Sequence, residues 1–342
     1  MTVALAFDLG GTELRAALVD REGALRAFAT TPTLASDGYE AVIGQMELLA
    51  TRIRAEQPGL TVASIGVGAP GPLDPVAGIV IAPPTLAGWN NVPLAAILQQ
   101  RFGLPTRLEN DANAAALGEW RFGAGRGTQS MVFVTVSTGI GGGVIADGRI
   151  LHGRRGLAAE IGHMTITAEG EPCFCGNVGC FEAVACGTAL GRRASKTTVA
   201  GDGSALRRLS GDSDVTGRHV VEAARAGDPQ ALALLDDEAR WLGIGFTNLL
   251  HLYSPDVIVM GGGIANGLDL MQNRIDITIR SRAMVAYRDV PVVAATLGNH
   301  AGLVGAASLA FSPAEPAITT ISAVNKKNDV EAYVEKREAH HG

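Results

Sequence analysis

The residues with the clearest chemical capacity lie between Glu160 and Glu182. Four potential metal ligands stand there: His163, Cys173, Cys175 and Cys180. Gly176 and Gly179 lie among the cysteines, and glycine lets a backbone turn tightly enough to bring three sulfurs together. Three thiolates and one imidazole form a closed tetrahedral set, which is typical of structural zinc and leaves no open position for a catalytic water. Ordinary buried thiols are the alternative, but cysteines this closely spaced favour a metal.

Two carboxylates flank this cysteine loop, so a rigid metal site would hold both in place. The pattern Glu160-x-Gly-His163, followed by Cys173-x-Cys-Gly-x-x-Gly-Cys180-x-Glu182, is similar to the signature of the ROK family of sugar kinases, repressors and related proteins. The resemblance covers roughly residues 3 to 311. It implies a hexose site to which Glu160, His163 and Glu182 contribute, with Gly71 and Asn110 as further contacts.

Three small-residue turns follow apolar strands, at residues 8–12, 137–143 and 261–264. Glycine turns can present backbone N–H groups to phosphates because no Cβ blocks the approach. Together they favour ATP binding, although none matches a P-loop or a dinucleotide fingerprint. The resemblance implies that these turns hold the ATP phosphates and adenosine, and that Asp8 orients Mg²⁺. The predicted contacts are Asp8, Gly10, Gly11, Thr12, Thr138, Gly139, Gly261, Gly262 and Gly263.

Asp111 is the predicted catalytic residue. It follows a short strand and stands at the start of an alanine-rich helix. In that position a helix cap is the ordinary role, and Asn110, Asp111 or Asn113 could each fill it. The run Glu-Asn-Asp-Ala-Asn resembles the catalytic motif of the family, which favours Asp111 as a general base that accepts the proton of a sugar hydroxyl.

The strand–turn–strand pattern occurs twice, at residues 3–19 and 131–146, which predicts a duplicated core. The resemblance implies an α/β, two-domain actin/hexokinase-like (ribonuclease H-like) ATPase fold with an interdomain cleft. The predicted domains are 1–110 plus about 298–311, and 111–297 with the zinc-binding sugar loop. Residues 312–342 lose apolar periodicity and are predicted to form a flexible tail.

The composition narrows the class of protein. A chain of 342 residues is long enough for two domains, and a net charge of −6 gives no basic footprint for nucleic acid. Glycine or proline interrupts the longest apolar runs, so no membrane span is expected. Thiols bound to metal suit a reducing compartment, which predicts a cytoplasmic protein. The resemblance implies a homodimer or homotetramer.

The resulting functional hypothesis is an ATP-dependent kinase that phosphorylates the 6-hydroxyl of a hexose, with glucose as the first candidate. Thr85 stands where glucose-specific relatives commonly have Asn, so N-acetylmannosamine, N-acetylglucosamine, another hexose or a cyclitol are alternatives. If the Thr85 side chain faces away from the sugar, this difference would not change the sugar preference. A ROK-type transcriptional regulator is disfavoured because the Asp8 turn begins too early for a preceding helix-turn-helix domain. The cysteine cluster favours ATP over polyphosphate as donor.

Overall fold

The computed structural model describes residues 1–153, 156–197, 205–211 and 213–312. The first half contains β1 Thr2–Leu9, β2 Glu13–Val19, β3 Leu25–Pro32, α1 Tyr39–Glu56, β4 Thr61–Ala69, β5 Leu73–Asp74, β6 Ile79–Val80, α2 Leu94–Phe102, β7 Thr106–Asn110 and α3 Asp111–Phe122. The second half contains β8 Met131–Val136, β9 Ile140–Ala146, β10 Arg149–Ile150, α4 Phe181–Ala185, α5 Gly187–Thr197, α6 Ala205–Ser210, α7 Gly217–Arg225, α8 Pro229–Tyr253, β11 Val257–Gly261, α9 Leu268–Arg282, β12 Val292–Ala294 and α10 Ala301–Phe311.

Two five-stranded sheets share one topology. The first has the order β3-β2-β1-β4-β7, and the second has the order β10-β9-β8-β11-β12. In each sheet the first three strands in sequence form an antiparallel meander, and two parallel strands extend it from the strand that came first. The predicted duplication of a strand–turn–strand core is therefore present, and it extends to the entire sheet.

Both faces of each sheet are covered, which explains the continuous apolar runs in the central strands. Alternate residues of β1 point to different cores: Val3, Leu5 and Phe7 pack with α1 and α2, whereas Ala4 and Ala6 pack against α10. The second sheet packs one face on the helices α5 and α7 to α9 and the other on α3.

Helices α3 and α10 lie between the two sheets. They approach so closely that a Cβ on Gly118 would collide with the Ala301 carbonyl, and one on Gly305 would collide with the Ala114 carbonyl. Small side chains at this crossing let the two backbones pack together. The helix that begins with Asp111 is therefore held rigidly in the middle of the molecule.

Helix α10 packs on the first sheet, and α3 contacts both sheets, so the domain bounds 1–110 plus about 298–311 and 111–297 stay predictions. Residues 313–342 of the predicted tail lie outside the described residues. No helix in the described ranges is both long and apolar enough to cross a membrane.

Candidate functional site

A cavity of about 770 Å³ opens between the two sheets, at the ends of their parallel strands. Ligands commonly bind at this edge of α/β sheets. Predicted site residues that line the cavity are Asp8, Gly71, Asp111, Thr138, Gly139, Glu160, His163, Glu182, Gly261, Gly262 and Gly263. Predicted site residues outside its lining are Gly10, Gly11, Thr12, Asn110, Cys173, Cys175 and Cys180. The structure thus brings together residues from both halves of the sequence.

Asp111 is the first residue of α3, and Asn110 is its N-cap. The Asn110 Oδ1 accepts hydrogen bonds from the backbone N–H of Ala112 at 3.0 Å and of Asn113 at 3.2 Å. Of the three possible caps, Asn110 fills that role, and its amide nitrogen remains as the group that could meet a ligand. The Asp111 carboxylate accepts from its neighbour Ala112 N–H at 2.8 Å and also lines the cavity.

Burial raises the pKa of Asp111 to about 6. The charges of Asp8 and Glu160 act in the same direction, and the hydrogen bond from Ala112 opposes them. A carboxylate with a near-neutral pKa is well suited to accept a proton and release it within one catalytic cycle. Among cavity residues, Asp111 therefore has the properties of a general base.

Arg15 is a cavity residue that the sequence analysis missed. It lies directly opposite Asp8 in the β1–β2 pairing, and its Nη1 is 3.2 Å from the Asp8 Oδ2. Burial raises the pKa of Asp8, and the neighbouring guanidinium works against this shift. Arg15 is the only arginine or lysine among the described residues that line the cavity. The antiparallel register across the first glycine turn is the signal that could have identified it.

The first glycine turn is closed by its own hydrogen bonds. Gly10 N–H donates to the Glu13 carbonyl at 3.0 Å, and the Gly10 carbonyl accepts from the Thr33 Oγ1 at 2.7 Å. This amide, predicted as a phosphate donor, is therefore occupied in the turn. Thr85 covers the other glycine: a Cβ on Gly11 would lie 2.7 Å from the Thr85 Cβ. Thr85 is exposed and is absent from the cavity lining.

The second turn connects β8 to β9 and is held from outside by α4 and α5. Glu182 Oε2 accepts the Ile140 N–H at 2.9 Å, and Thr188 Oγ1 donates to the Thr138 carbonyl at 2.8 Å. Glu182, predicted as a sugar contact, thus also holds a predicted phosphate turn. Glu182 therefore connects the predicted sugar contacts to the predicted phosphate turn.

The third turn follows β11. Gly262 has φ 83°, and a Cβ there would overlap the Val136 carbonyl, so the position requires glycine. The exposed backbone of Gly262 and Gly263 borders the cavity next to Asn266, a second residue that the sequence analysis missed. Bare backbone at this edge allows the close approach of a flat ring or a phosphate.

The cysteine loop is a small hairpin with isolated bridges at Thr165–Cys180 and Pro172–Val178. Gly176 and Gly179 adopt φ of 90° and 72°, which confirms why glycine separates these cysteines. The ligand atoms of His163, Cys173, Cys175 and Cys180 all lie within 4.8 Å of one another, so the group could hold a metal ion.

The spacing of the donor atoms suits zinc. Cys175 Sγ and Cys180 Sγ are 3.7 Å apart, and Cys173 Sγ is 3.5 Å from His163 Nδ1. A tetrahedron with Zn–S arms of about 2.3 Å has edges of about 3.8 Å. All four cysteines are free thiols. Because Nδ1 of His163 faces the thiols, its Nε2 is the nitrogen available to a sugar.

Phe174 is a third cavity residue absent from the sequence-based predictions. Its side chain is 80% exposed, and its ring meets the His163 imidazole edge to face with centroids 5.1 Å apart. A large exposed aromatic ring beside predicted sugar ligands is a candidate contact for the apolar face of a sugar.

The chain matches the ROK family over residues 4–312. It is 37% identical over 320 residues to a glucokinase of Streptomyces coelicolor, covering 92% of this chain and 99% of the relative. It is 35% identical over 309 residues to an N-acetylmannosamine kinase of Escherichia coli, covering 90% and 97%. Among solved structures, a ROK family glucokinase from Streptomyces griseus in complex with glucose and AMPPNP has a TM-score of 0.78 at 36% identity, covering 90% and 99%.

Proposed function

Because this chain belongs to the ROK family, we propose that it is an ATP-dependent hexose kinase that transfers the γ-phosphoryl group of ATP to the 6-hydroxyl of glucose. Its two similar sheets and its likeness to a solved ROK glucokinase agree with the predicted actin/hexokinase-like fold. The observation that carries the proposal is Asp111, a carboxylate with a pKa of about 6 in a cavity bordered by two glycine turns.

In the proposed reaction, Asp111 accepts the proton of the sugar hydroxyl as the bond between oxygen and phosphorus forms. Glu160, His163 and Glu182 bind the opposite edge of the ring, which points the exocyclic hydroxyl towards the glycine turns. Backbone N–H groups of the turns at Thr138 and Gly262, which line the cavity, would receive ATP. Closure around both substrates would exclude water as a competing acceptor.

Asp8 is the residue that would hold Mg²⁺, through its partly buried carboxylate at the end of β1. When bound, the ion would supply positive charge that offsets the negative charge of the ATP phosphates. Arg15 lies against the same carboxylate and adds the positive side chain that this acidic cavity otherwise lacks among its described lining residues.

We also propose that His163, Cys173, Cys175 and Cys180 bind structural zinc. The distances between the donor atoms support this assignment. The metal would hold His163 towards the cavity and would fix the hairpin that ends immediately before Glu182. Its role would be to position the sugar-binding side chains, since the four protein ligands leave no open coordination position.

Phosphorylation of N-acetylmannosamine is the second candidate function, since a kinase for that sugar is 35% identical over 90% of this chain. N-acetylglucosamine, another hexose or a cyclitol would fit the same chemistry. We further propose that the protein works in the cytoplasm as a homodimer or homotetramer, with no nucleic acid or membrane partner.

A coupled assay of ATP consumption with a panel of glucose, mannose, N-acetylglucosamine and N-acetylmannosamine tests the proposal. We expect hexose-dependent turnover with glucose as the preferred substrate. ATP consumption that no sugar stimulates, together with sugar binding measured by calorimetry, would indicate a regulator instead of a kinase.

A further inference from the structure

Helix α3 begins with Asp111, and two buried glutamates stand near its two ends. Glu109 precedes the helix at the end of β7 and is 1% exposed, whereas Glu119 lies near the C-terminus and is 0% exposed. Buried carboxylates cost free energy unless hydrogen bonds satisfy them. Neither glutamate is needed for the proton transfer, so their partners indicate what they do.

Glu109 connects the start of α3 to the sugar side. Its Oε1 accepts the Asn110 N–H at 2.9 Å and the Asn113 Nδ2 at 3.0 Å. Its Oε2 lies 2.6 Å from Nε2 of His152, in the segment after β10 that leads to Glu160. One carboxylate thus joins the helix cap beside Asp111 to the segment that carries a predicted sugar ligand.

Glu119 connects the other end of α3 to the loop after β12. Its Oε1 accepts the Leu297 N–H at 2.7 Å, and its Oε2 accepts the N–H groups of Thr296 at 3.1 Å and Ala124 at 2.9 Å. The same loop borders the cavity through Ala295, Gly298 and Asn299. Because β12 lies next to β11, this loop adjoins the glycine turn at 261–263 on the predicted nucleotide side.

We propose that Glu109 and Glu119 are positioning residues that set the sugar-side segment and the nucleotide-side loop relative to Asp111. Helix α3 is rigid where it crosses α10. Because one carboxylate lies near each end of this helix, each can orient a different substrate site relative to Asp111. Both contacts join residues far apart in sequence, 43 positions for Glu109–His152 and 178 for Glu119–Leu297. The inference rests on the proposed kinase function for its kinetic readout.

Glu119→Gln tests the nucleotide side. The amide would place an N–H donor against backbone donors, so the loop at 296–297 should shift. Hydrogen bonds to a charged group are strong, and we expect the KM for ATP to rise about tenfold while the KM for the sugar stays within about twofold. If this variant fails to fold, Thr296→Val can be used instead. It removes only the Oγ1 contact to Glu119 and should raise the KM for ATP by a smaller factor.

His152→Ala tests the sugar side. We expect the KM for the sugar to rise about tenfold and the KM for ATP to stay within about twofold. His152→Gln can return an N–H donor to Glu109 and should restore part of the loss. Each variant serves as the control for the other, since the two should affect different substrates.

Asp228→Asn is the matched structural control. Asp228 is a buried carboxylate that accepts N–H groups from Ala205, Gln230 and Ala231, but it lies away from the cavity. It should lower thermal stability without changing either KM. Equal changes in both constants for Glu119→Gln and His152→Ala, or changes in stability alone, would overturn the inference. A wild-type protein without sugar-dependent turnover would instead refute the proposed function, and calorimetric titration of the variants with AMPPNP and glucose would still test the positioning.

Discussion

At the scale of single residues, the site depends on the different roles of two neighbouring residues, Asn110 and Asp111. Asn110 caps α3, which leaves Asp111 free to line the cavity with a pKa of about 6. A charged cap at the same place would be stabilised by the helix N-terminus and would be a weaker base. In the proposed reaction, this separation of cap and base would allow Asp111 to act on a sugar hydroxyl.

Asp111→Asn should reduce turnover by about a hundred- to ten-thousand-fold while sugar affinity changes little, because the shape is kept and the base is lost. Coupled assay and calorimetry on the same protein measure both quantities. Turnover within a few-fold of wild type would remove Asp111 from the mechanism, and equal losses of binding and turnover would make it a sugar-positioning residue.

The same substitution should raise the melting temperature. The folded state lifts the pKa of Asp111 from 3.8 to about 6, so it holds this proton more tightly than the unfolded chain does. The stabilisation that protonation provides is lost as the pH rises through this interval, and at pH 7 the buried charge destabilises the fold. Asn carries no charge, and we expect a gain of about 2–4 °C at pH 7 that disappears below pH 4. An unchanged difference between pH 4 and pH 7 would contradict this.

The pH dependence of catalysis should report the same group. We expect kcat/KM for the sugar to fall about tenfold per pH unit below pH 6, because only the deprotonated base accepts the hydroxyl proton. A rate profile measured from pH 5 to 8 tests this. A profile that stays flat to pH 5 would indicate another base.

Sugar preference should depend on Phe174 more than on Thr85. Phe174 lines the cavity beside His163, whereas Thr85 packs on Gly11 of the first turn. Phe174→Ala should alter the ratio of kcat/KM for glucose and N-acetylmannosamine about threefold or more, on the scale of one lost aromatic contact. Thr85→Asn is the paired variant and should leave that ratio within twofold. The opposite ranking would return Thr85 to the role first predicted from the sequence.

At the scale of elements, the cysteine hairpin and α3 each carry several site residues on one continuous segment, and each element thereby positions these residues relative to one another. The hairpin carries His163 at one end, and Cys180 is the N-cap of α4, whose second residue is Glu182. Glu182 in turn holds the β8–β9 turn through Ile140. A metal in the hairpin would thus stabilise the predicted sugar ligands and the predicted phosphate turn together.

Cys180→Ser should therefore lose zinc and lower activity about tenfold or more, by releasing His163 and Glu182. Elemental analysis of the wild type should give about one zinc per chain. Cys186→Ser is the matched control, because Cys186 is buried in the adjacent core and lies outside the four-ligand group. Wild-type protein that is free of metal and fully active would refute the zinc proposal.

At the scale of the whole molecule, two sheets of equal topology enclose the cavity. We expect this chain to associate with at least one further copy of itself. Exposed apolar side chains at the end of α8 and after α9 suit such a contact: Leu252 is 63% exposed, Met284 66% and Val285 75%. The Met284 N–H donates to His251 Nε2 at 3.1 Å, which holds these segments side by side.

Light scattering at micromolar concentration should therefore give at least twice the chain mass of 35.3 kDa. The double variant Leu252→Glu and Val285→Glu should reduce the mass towards one chain, because it places charges in the contact. Leu48→Glu, on the exposed face of α1, is the control and should leave the mass unchanged. A wild-type monomer would contradict the predicted assembly, and an effect of Leu48→Glu alone would move the contact to another face.

The sequence by itself determined the features that depend on local rules. The cysteine and glycine spacing predicted a backbone that turns tightly enough to bring the sulfurs together, and the repeated strand–turn–strand pattern predicted a duplicated core. The asparagine and aspartate before the alanine-rich run marked the start of α3. Backbone turns and hydrophobic periodicity depend only on residues close together in the sequence, so they can be predicted without a structure.

Only the tertiary structure decided which residues meet. Arg15 reaches Asp8 across a strand pair, Thr85 covers Gly11 instead of the cavity, and Glu119 binds a loop 178 positions away. Strand β3 and helix α9 were also unpredicted, although α9 buries Leu268, Met271 and Ile275 at helical spacing, which is a local signal. Contacts between distant segments depend on how helices and sheets pack. The same local sequence pattern can occur with different tertiary partners, so the pattern does not identify them. The near-neutral pKa of Asp111 is a consequence of that packing, because burial is the main cause of the shift.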